Sequence, residues 1–363
     1  MFCSTVSQRR VGPASRARNE KYGPEGGFNP LNFPELPPSL AATICNTANH
    51  SITKGTWSSY RTARKMLDEC EAKFAGKNFN FPLSEEASII FCGWLLERGL
   101  QAGTIESYFA GLRAFHLANG FSCVSLRTPL INQIINGRKH QPNSEEKGKR
   151  MPATPAVLKI IKKNLKSLNR KKKDKLLIWA VCTTAFAGAF RAGELLCKYS
   201  SHFDPSVNLM REDVREKQVS VDGKSITILQ VKLKSEKTGR PGSSNWVDIY
   251  ESGNFICPIK AHRKFAKSLC ENSFCPHFQL ESGKPYTLRL FNSDLKELTA
   301  NLEGSFSGHS FRIGLASMLG QLGFTDQEIK ATGRWSSNAF EVYMRLPRSR
   351  RIEMAKKISE LSW

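Results

Sequence analysis

Acidic residues are scarce in this chain: 32 Asp and Glu stand against 54 Lys and Arg, a formal net charge of +22 over 363 residues. An excess this large is poorly explained by solubility alone and favours an anionic polymer as partner. Long apolar runs are missing as well. The longest candidate, residues 176–190, is interrupted by Thr183, Thr184 and Gly188. It reads as a buried core helix, so no membrane partner is expected. The 10 cysteines lack tight pairing, and Arg9 and Arg10 are followed by no apolar segment of the kind a secretory signal needs. Free thiols in a reducing compartment are therefore expected. Cys270, Cys275 and His277, with Cys257 as a fourth group, invite a zinc site, but their spacing matches no finger pattern and no metal is assigned. Carboxylates do not cluster as they do where Mg²⁺ is held, so no cofactor is expected, and no small-molecule substrate.

What the chain does have is clustered positive charge. Residues 147–175 hold twelve basic side chains and one acid, Asp174. Lys147, Lys149, Arg150, Lys171, Lys172 and Lys173, with Arg113 and Arg334 elsewhere, are the candidate contacts to a phosphate backbone. Such groups grip phosphate and position a protein without reading sequence. A run such as Arg170-Lys171-Lys172-Lys173 also has the form of a nuclear-import signal.

Periodicity divides the chain. Residues 1–50 are rich in Arg, Ser, Gly and Pro, and Pro30, Pro34, Pro37 and Pro38 argue for a disordered tail. From Thr56 to about residue 138 the spacing predicts four or five helices: one through Trp57, Tyr60 and Leu67, one opening at Ser84, one capped by Thr104, one at Thr128-Pro129. His116 falls in this bundle and reads as a core or surface histidine rather than a ligand. A polar, proline-containing stretch at 139–155 reads as a linker. Helices are expected again near 156–168 and 174–188, then short strands at 218–221, 225–232 and 245–250, then further helices.

The most informative stretch is Gly308-His309-Ser310-Phe311-Arg312, followed by Gly333-Arg334-Trp335 and then Tyr343. Arg312 offers a planar fork of donors that matches phosphate oxygens. His309 can donate to an oxygen or move a proton, Trp335 brings one indole donor, and Tyr343 has a hydroxyl able to act as nucleophile. Upstream, Arg191 and Glu194 stand three apart at a helix start, on one face.

This ordered set resembles the tyrosine recombinase (phage integrase) family, and its wording is closest to the Cre-like and eukaryotic Crypton and DIRS-like mobile-element branches. The likeness spans about residues 55–346, and only its C-terminal motif is specific. It implies a mainly α fold with a small antiparallel β-sheet in the catalytic domain, arranged as a two-lobed DNA clamp. The parts would be a tail at 1–50, a helical core-binding domain at 51–138, a linker at 139–155, an α+β tyrosine recombinase catalytic domain at 156–346 and a tail helix at 347–363. The resemblance also implies the catalytic roles. Arg191 and Arg312 clamp the phosphate, His309 and Trp335 add hydrogen bonds, and Glu194 orients its neighbours. A hairpin lysine protonates the leaving oxygen: Lys237 fits best, with Lys234 as the alternative. Tyr343 attacks to give a 3′-phosphotyrosyl link. Implied with these are paired double-stranded DNA sites as partner, a homotetramer formed through the C-terminal tail, and a nuclear location in a eukaryotic host or a cytoplasmic one with DNA otherwise. Two other readings compete: a tyrosine DNA topoisomerase, and a domesticated DNA-binding protein that no longer cuts.

Beyond Pro347, Ile352, Ala355, Ile358 and Leu361 recur every three residues among basic ones. Truncation after Pro347 is expected to weaken assembly on two-site DNA more than single-site binding in gel-shift titrations. Equal losses would assign the stripe to the chain's own core.

Overall fold

The computed structural model describes residues 27–141, 150–234, 246–267 and 275–335. It divides into two compact units, residues 1–144 and 145–363. In each, helices predominate.

The first unit contains α1 (Pro38–His50), α2 (Lys54–Lys73), α3 (Glu85–Glu97), α4 (Ala102–Ala118) and α5 (Pro129–His140). The expectation of disorder through residue 50 fails at α1. Pro38 occupies the first turn, where its missing N–H has no intrahelical partner to lose and its fixed φ suits a helix, so proline opens this element rather than preventing it. Caps mark the other starts. Thr53, Ser84 and Thr128 each accept a backbone N–H of the first turn. The helix expected to be capped by Thr104 begins instead at Ala102, after Gln101. Helices α2 and α4 pack closely at Gly111, where a methyl group would come 3.0 Å from the Ala63 side chain. Phe91, Phe109, Leu67, Leu95 and Leu112 fill the core between the helices. His116 is fully buried here. Its Nδ1 lies 2.7 Å from the Ser122 carbonyl, and its Nε2 accepts the Leu83 N–H at 3.2 Å. That pairing places the proton on Nδ1, and burial holds the imidazole's pKa below its usual range.

The second unit is built around α7 (Lys172–Ala187), which follows α6 (Pro155–Asn164). Its residues from Leu177 to Phe186 are all buried, so it is apolar on every side, as a central helix must be. After the short α8 (Ala192–Leu195) come β1 (Val214–Val221), β2 (Lys224–Lys232) and β3 (Trp246–Tyr250), one antiparallel sheet in the order β1-β2-β3. Then follow α9 (Pro258–Ala266), α10 (Leu288–Leu298), α11 (Ser310–Gln321) and α12 (Asp326–Gly333). Asp222-Gly223 turn the first hairpin, both with positive φ.

Two boundaries move from their expected places. α5 runs on to His140, and residues 150–153, expected in a linker, belong to the second unit. The Met151 N–H donates to the Ser305 carbonyl at 2.9 Å, and the Ala153 N–H to that of Ser310 at 2.8 Å. Gly314 permits this approach, because a methyl group there would run into the Ala153 backbone. Of the groups weighed for zinc, Cys257 and His277 are packed in the interior. Cys257 precedes α9 and is buried, and His277 stacks on His262 at 5.3 Å and meets Phe278 edge-on. Cys270 lies outside the described residues.

A buried polar knot ties α7's flank to α10. Arg170 donates twice to Asp294 Oδ1, at 3.1 and 2.7 Å, and the Tyr286 hydroxyl donates to Oδ2 at 2.6 Å. Removing the carboxylate strands a guanidinium and a phenol together. Asp294→Ala is expected to cost about 3 kcal/mol in chemical denaturation, against about 1 kcal/mol for Tyr286→Phe, which removes a single hydrogen bond.

Candidate active site

The C-terminal end of α7 is where the site begins. A helix end exposes carbonyl oxygens and carries partial negative charge, so it needs donors. The chain turns sharply here, with Ala189 in the left-handed region at φ 48°. Backbone N–H groups of this turn take the helix's carbonyls at Thr184, Ala185 and Phe186, and the carbonyls of the turn itself, at Gly188 and Ala189, are taken by arginines far away in sequence. Arg312 Nη1 donates to the Ala189 carbonyl at 2.6 Å, and Arg334 Nη1 donates to that of Gly188 at 2.8 Å. Sequence separations of 123 and 146 residues are thereby closed at one point.

Arg191 follows directly and precedes α8. Glu194 folds back onto it: one carboxylate oxygen accepts the Arg191 guanidinium at 2.8 Å, the other its backbone N–H at 2.9 Å. The Arg334 guanidinium approaches the same carboxylate at 3.3 Å. Glu194 thus bridges two cations and fixes the direction of Arg191, whose side chain keeps 37% of its surface exposed. Arg334, expected on DNA, has its guanidinium engaged within the protein. It lies between Glu194, Gly188 and the face of Phe190, 4.8 Å from that ring's centre.

His309 stands immediately before α11, not within it. Ser307 and Ser310 form the turn that starts the helix, with the Ser307 N–H donating to Ser310 Oγ at 3.0 Å. Gly308 lies against Ala192, where a methyl group would collide with the Ala192 side chain, so the two motifs touch through their smallest residues. Burial comes first, then the charges of Arg150, Arg312 and Arg191, in holding the His309 pKa below the usual histidine range. At neutral pH this imidazole is therefore uncharged and carries one N–H.

Arg312 is the largest fully buried side chain among the described residues. The Trp335 ring lies over its guanidinium, 4.2 Å from carbon to centroid. The turn that delivers the indole explains the wording Gly-Arg-Trp. Arg334 adopts φ 55° to end α12, and the ring then folds back over Gly333, where any side chain would overlap it. Trp335 thus presents a face to Arg312, a cation–π contact.

The structure therefore gathers Arg191, Glu194, His309, Arg312 and Trp335, and adds Arg334 and Arg150 to their surroundings. No local pattern marks the inward role of Arg334; only its place between Gly333 and Trp335 hints at it. Lys234 is committed elsewhere. Its Nζ lies 2.6 Å from Asp213 and donates to the Pro205 carbonyl at 2.8 Å, with 14% of the side chain exposed. Lys237 and Tyr343 lie outside the described residues, as do Lys147 and Lys149. Lys171, Lys172 and Lys173 are exposed at the start of α7, and Arg113 is half-buried beside Arg127. Tyr286 is unfit as a nucleophile, since burial and its bond to Asp294 drive the phenol's pKa far upward.

Because His309's pKa is depressed, the neutral form is favoured in the folded state. Its contribution to stability is full above the ordinary histidine pKa and is lost as pH falls through the folded value. Arg150→Ala should raise the His309 midpoint in an NMR titration while leaving it below the ordinary value, because burial is the larger cause. An unchanged midpoint would remove Arg150 from the site.

No protein-family model and no curated protein matches this chain. Solved structures do match it. The XerH site-specific recombinase bound to palindromic difH substrate, in a post-cleavage complex, aligns with a TM-score of 0.56 at 12% identity, covering 89% of this chain and 84% of its own. A lambda integrase dimer bound to a COC′ core site aligns at 0.52 and 15% identity, covering 84% and 94%. The Tn1549 transposon integrase in complex with transposon right end DNA aligns at 0.51 and 13% identity, covering 82% and 93%. This chain has the fold of the two-domain tyrosine recombinases.

Proposed function

We propose that this protein is a site-specific DNA recombinase that cuts and rejoins strands through a 3′-phosphotyrosyl intermediate, serving integration or excision of a mobile element. The observation that carries the reading is the convergence of Arg191, His309 and Arg312 around the end of α7, with Glu194 holding Arg191. Phosphodiester cleavage needs charge neutralisation at the phosphate, a positioned nucleophile and an acid for the leaving oxygen. Arg191 and Arg312 meet the first need. The Tyr343 hydroxyl gives its proton to solvent and attacks phosphorus; as the new P–O bond forms, the bond to the 5′ oxygen breaks and that oxygen takes a proton from Lys237. The bond count at phosphorus is conserved, so a 5′-hydroxyl from another strand can reverse the step and rejoin DNA. His309, neutral and carrying one N–H, donates to a nonbridging oxygen as negative charge builds there.

In the state described, Arg312 has no accessible surface. Phosphate reaches it when Trp335 shifts from the guanidinium face. Trp335 thus acts first as a cover and then, turned aside, as an indole donor. Lys237 is favoured over Lys234 as the acid because an ion pair with Asp213 holds Lys234. Paired duplex sites, assembly of four subunits through residues after Pro347 and work in the nucleus of a eukaryotic host complete the reading. The intact set of cationic groups favours a cutting enzyme over a DNA-binding protein that no longer cuts, and the separate helical unit favours a recombinase over a topoisomerase.

The direct test is covalent capture of a nicked suicide duplex. Tyr343→Phe should abolish the adduct while leaving binding nearly unchanged, since affinity comes from phosphate contacts elsewhere. An adduct that persists would move the nucleophile to another residue. Arg312→Lys should lower cleavage about a hundredfold or more, because a point charge lacks the planar fork. Lys237→Ala should be rescued by a bridging 5′-sulfur, a leaving group that needs no acid. Rescue of Lys234→Ala instead would reassign the role. Cleavage should survive strong chelation, since guanidinium groups stand at the phosphate. Activity returning only with Mg²⁺ would contradict the mechanism.

A further inference from the structure

On the second unit, α6, α7, α9 and the segment before α9 enclose a groove of about 310 Å³. Its floor is apolar. Trp179 from α7 lies at the bottom and Phe255 forms one wall, with 42% of its surface exposed. Its rim is cationic. Lys162 from α6, Lys166 just beyond its end, Lys175 from α7, and Lys260 and Lys264 from α9 surround it, and among the described residues no carboxylate lines it.

These lysines are poorly compensated. Lys162 lies over both rings, 5.1 Å from the centre of Trp179 and 5.6 Å from that of Phe255, and donates to the Phe255 carbonyl at 3.3 Å. Lys175 donates to the Lys166 carbonyl at 2.8 Å. Among the described residues, none of the five forms an ion pair with a carboxylate. Burial, and then the charge of Lys264, holds the Lys162 ammonium below the usual lysine range. The groove joins an apolar recess to a crowd of like charges, and each half selects its occupant. A DNA backbone would satisfy the lysines but would leave Trp179 and Phe255 with nothing apolar to bury. A second copy of this chain would supply the apolar stripe after Pro347, but that stripe carries Arg348, Arg350, Arg351, Lys356 and Lys357 and would add charge of the same sign.

We propose that this groove receives an acidic, amphipathic peptide segment of another protein. Its bulky apolar side chains seat against Trp179 and Phe255, and its flanking carboxylates pair with the lysine rim. The recess has room for a pair of large side chains, enough to anchor a helix turn by residues one turn apart. Bound carboxylates would relieve the repulsion between Lys162 and Lys264.

The test uses the full-length protein and fluorescence anisotropy. The probe is a labelled acidic helical peptide with Leu and Trp on one face and Glu on the other, and the comparator is the same composition scrambled. The ordered peptide should bind at least about tenfold more tightly than the scrambled one. Lys162→Glu combined with Lys264→Glu should erase that preference, and so should Phe255→Ser, at a position 42% exposed where the melting temperature should stay unchanged. Lys171→Glu, outside the groove, should leave it unchanged. Equal binding of the two peptides would overturn the proposal, as would a preference that survives both groove variants. Preferential seating of the basic peptide 347–363 would also overturn it, and would assign the groove to a second copy. Loss of duplex binding in the lysine variant without any peptide preference would overturn it in favour of phosphate contact.

Discussion

A helix end that must be capped organises the second unit. Helix α7 is buried along nearly its whole length, and so is the turn that closes it, so the turn's carbonyl groups at Gly188 and Ala189 cannot turn to water. Two guanidinium groups meet them, Arg312 at Ala189 and Arg334 at Gly188. Positive charge at this end also complements the helix dipole. Because the arginines come from the start of α11 and the end of α12, capping α7 draws three distant segments together. Arg191, one residue beyond Phe190, is carried into the same place. The geometry of the candidate site and the stability of the fold thus rest on one set of contacts, and the strain of a left-handed alanine at 189 is part of the arrangement.

Small residues let the segments close. Gly308 against Ala192, Gly314 against Ala153 and Gly333 beneath Trp335 each occupy a position where a methyl group would collide. The motif spelled Gly-His-Ser-Phe-Arg-Ile-Gly is therefore a packing rule, whatever chemistry its polar members perform. Electrostatics follow from the packing. Glu194 bridges Arg191 and Arg334, while His309 remains neutral beside Arg150, Arg312 and Arg191. The pocket is poised to accept negative charge.

Much of this was legible in the residues. Helix starts at Ser84 and Thr128 follow from hydroxyl side chains placed before amphipathic runs. The grouping of Arg191 and Glu194 with His309, Arg312 and Trp335 was what the family resemblance implied. Other features depend on tertiary contacts and left no local trace. β1 begins at Val214, earlier than alternation indicates, because Arg215, Glu216 and Lys217 lie on an exposed strand paired to β2. α1 was hidden by its prolines, which are punctuation at a helix start rather than an obstacle. The pinning of residues 150–153 beside α11 depends on backbone bonds that composition cannot reveal. The inward turn of Arg334 depends on α7's carbonyls, far away in sequence.

The central claim is that Arg191 and Arg312 exist to neutralise one phosphate. A duplex whose scissile phosphate carries a methyl group in place of one nonbridging oxygen tests it most directly, because the substrate then has no negative charge to neutralise. The account predicts that Arg191→Ala and Arg312→Ala, both severely impaired on ordinary DNA, recover strand cleavage on this duplex while Tyr343→Phe does not. If neither arginine variant gains activity on the neutral substrate, the guanidinium groups serve the fold alone and the account is contradicted.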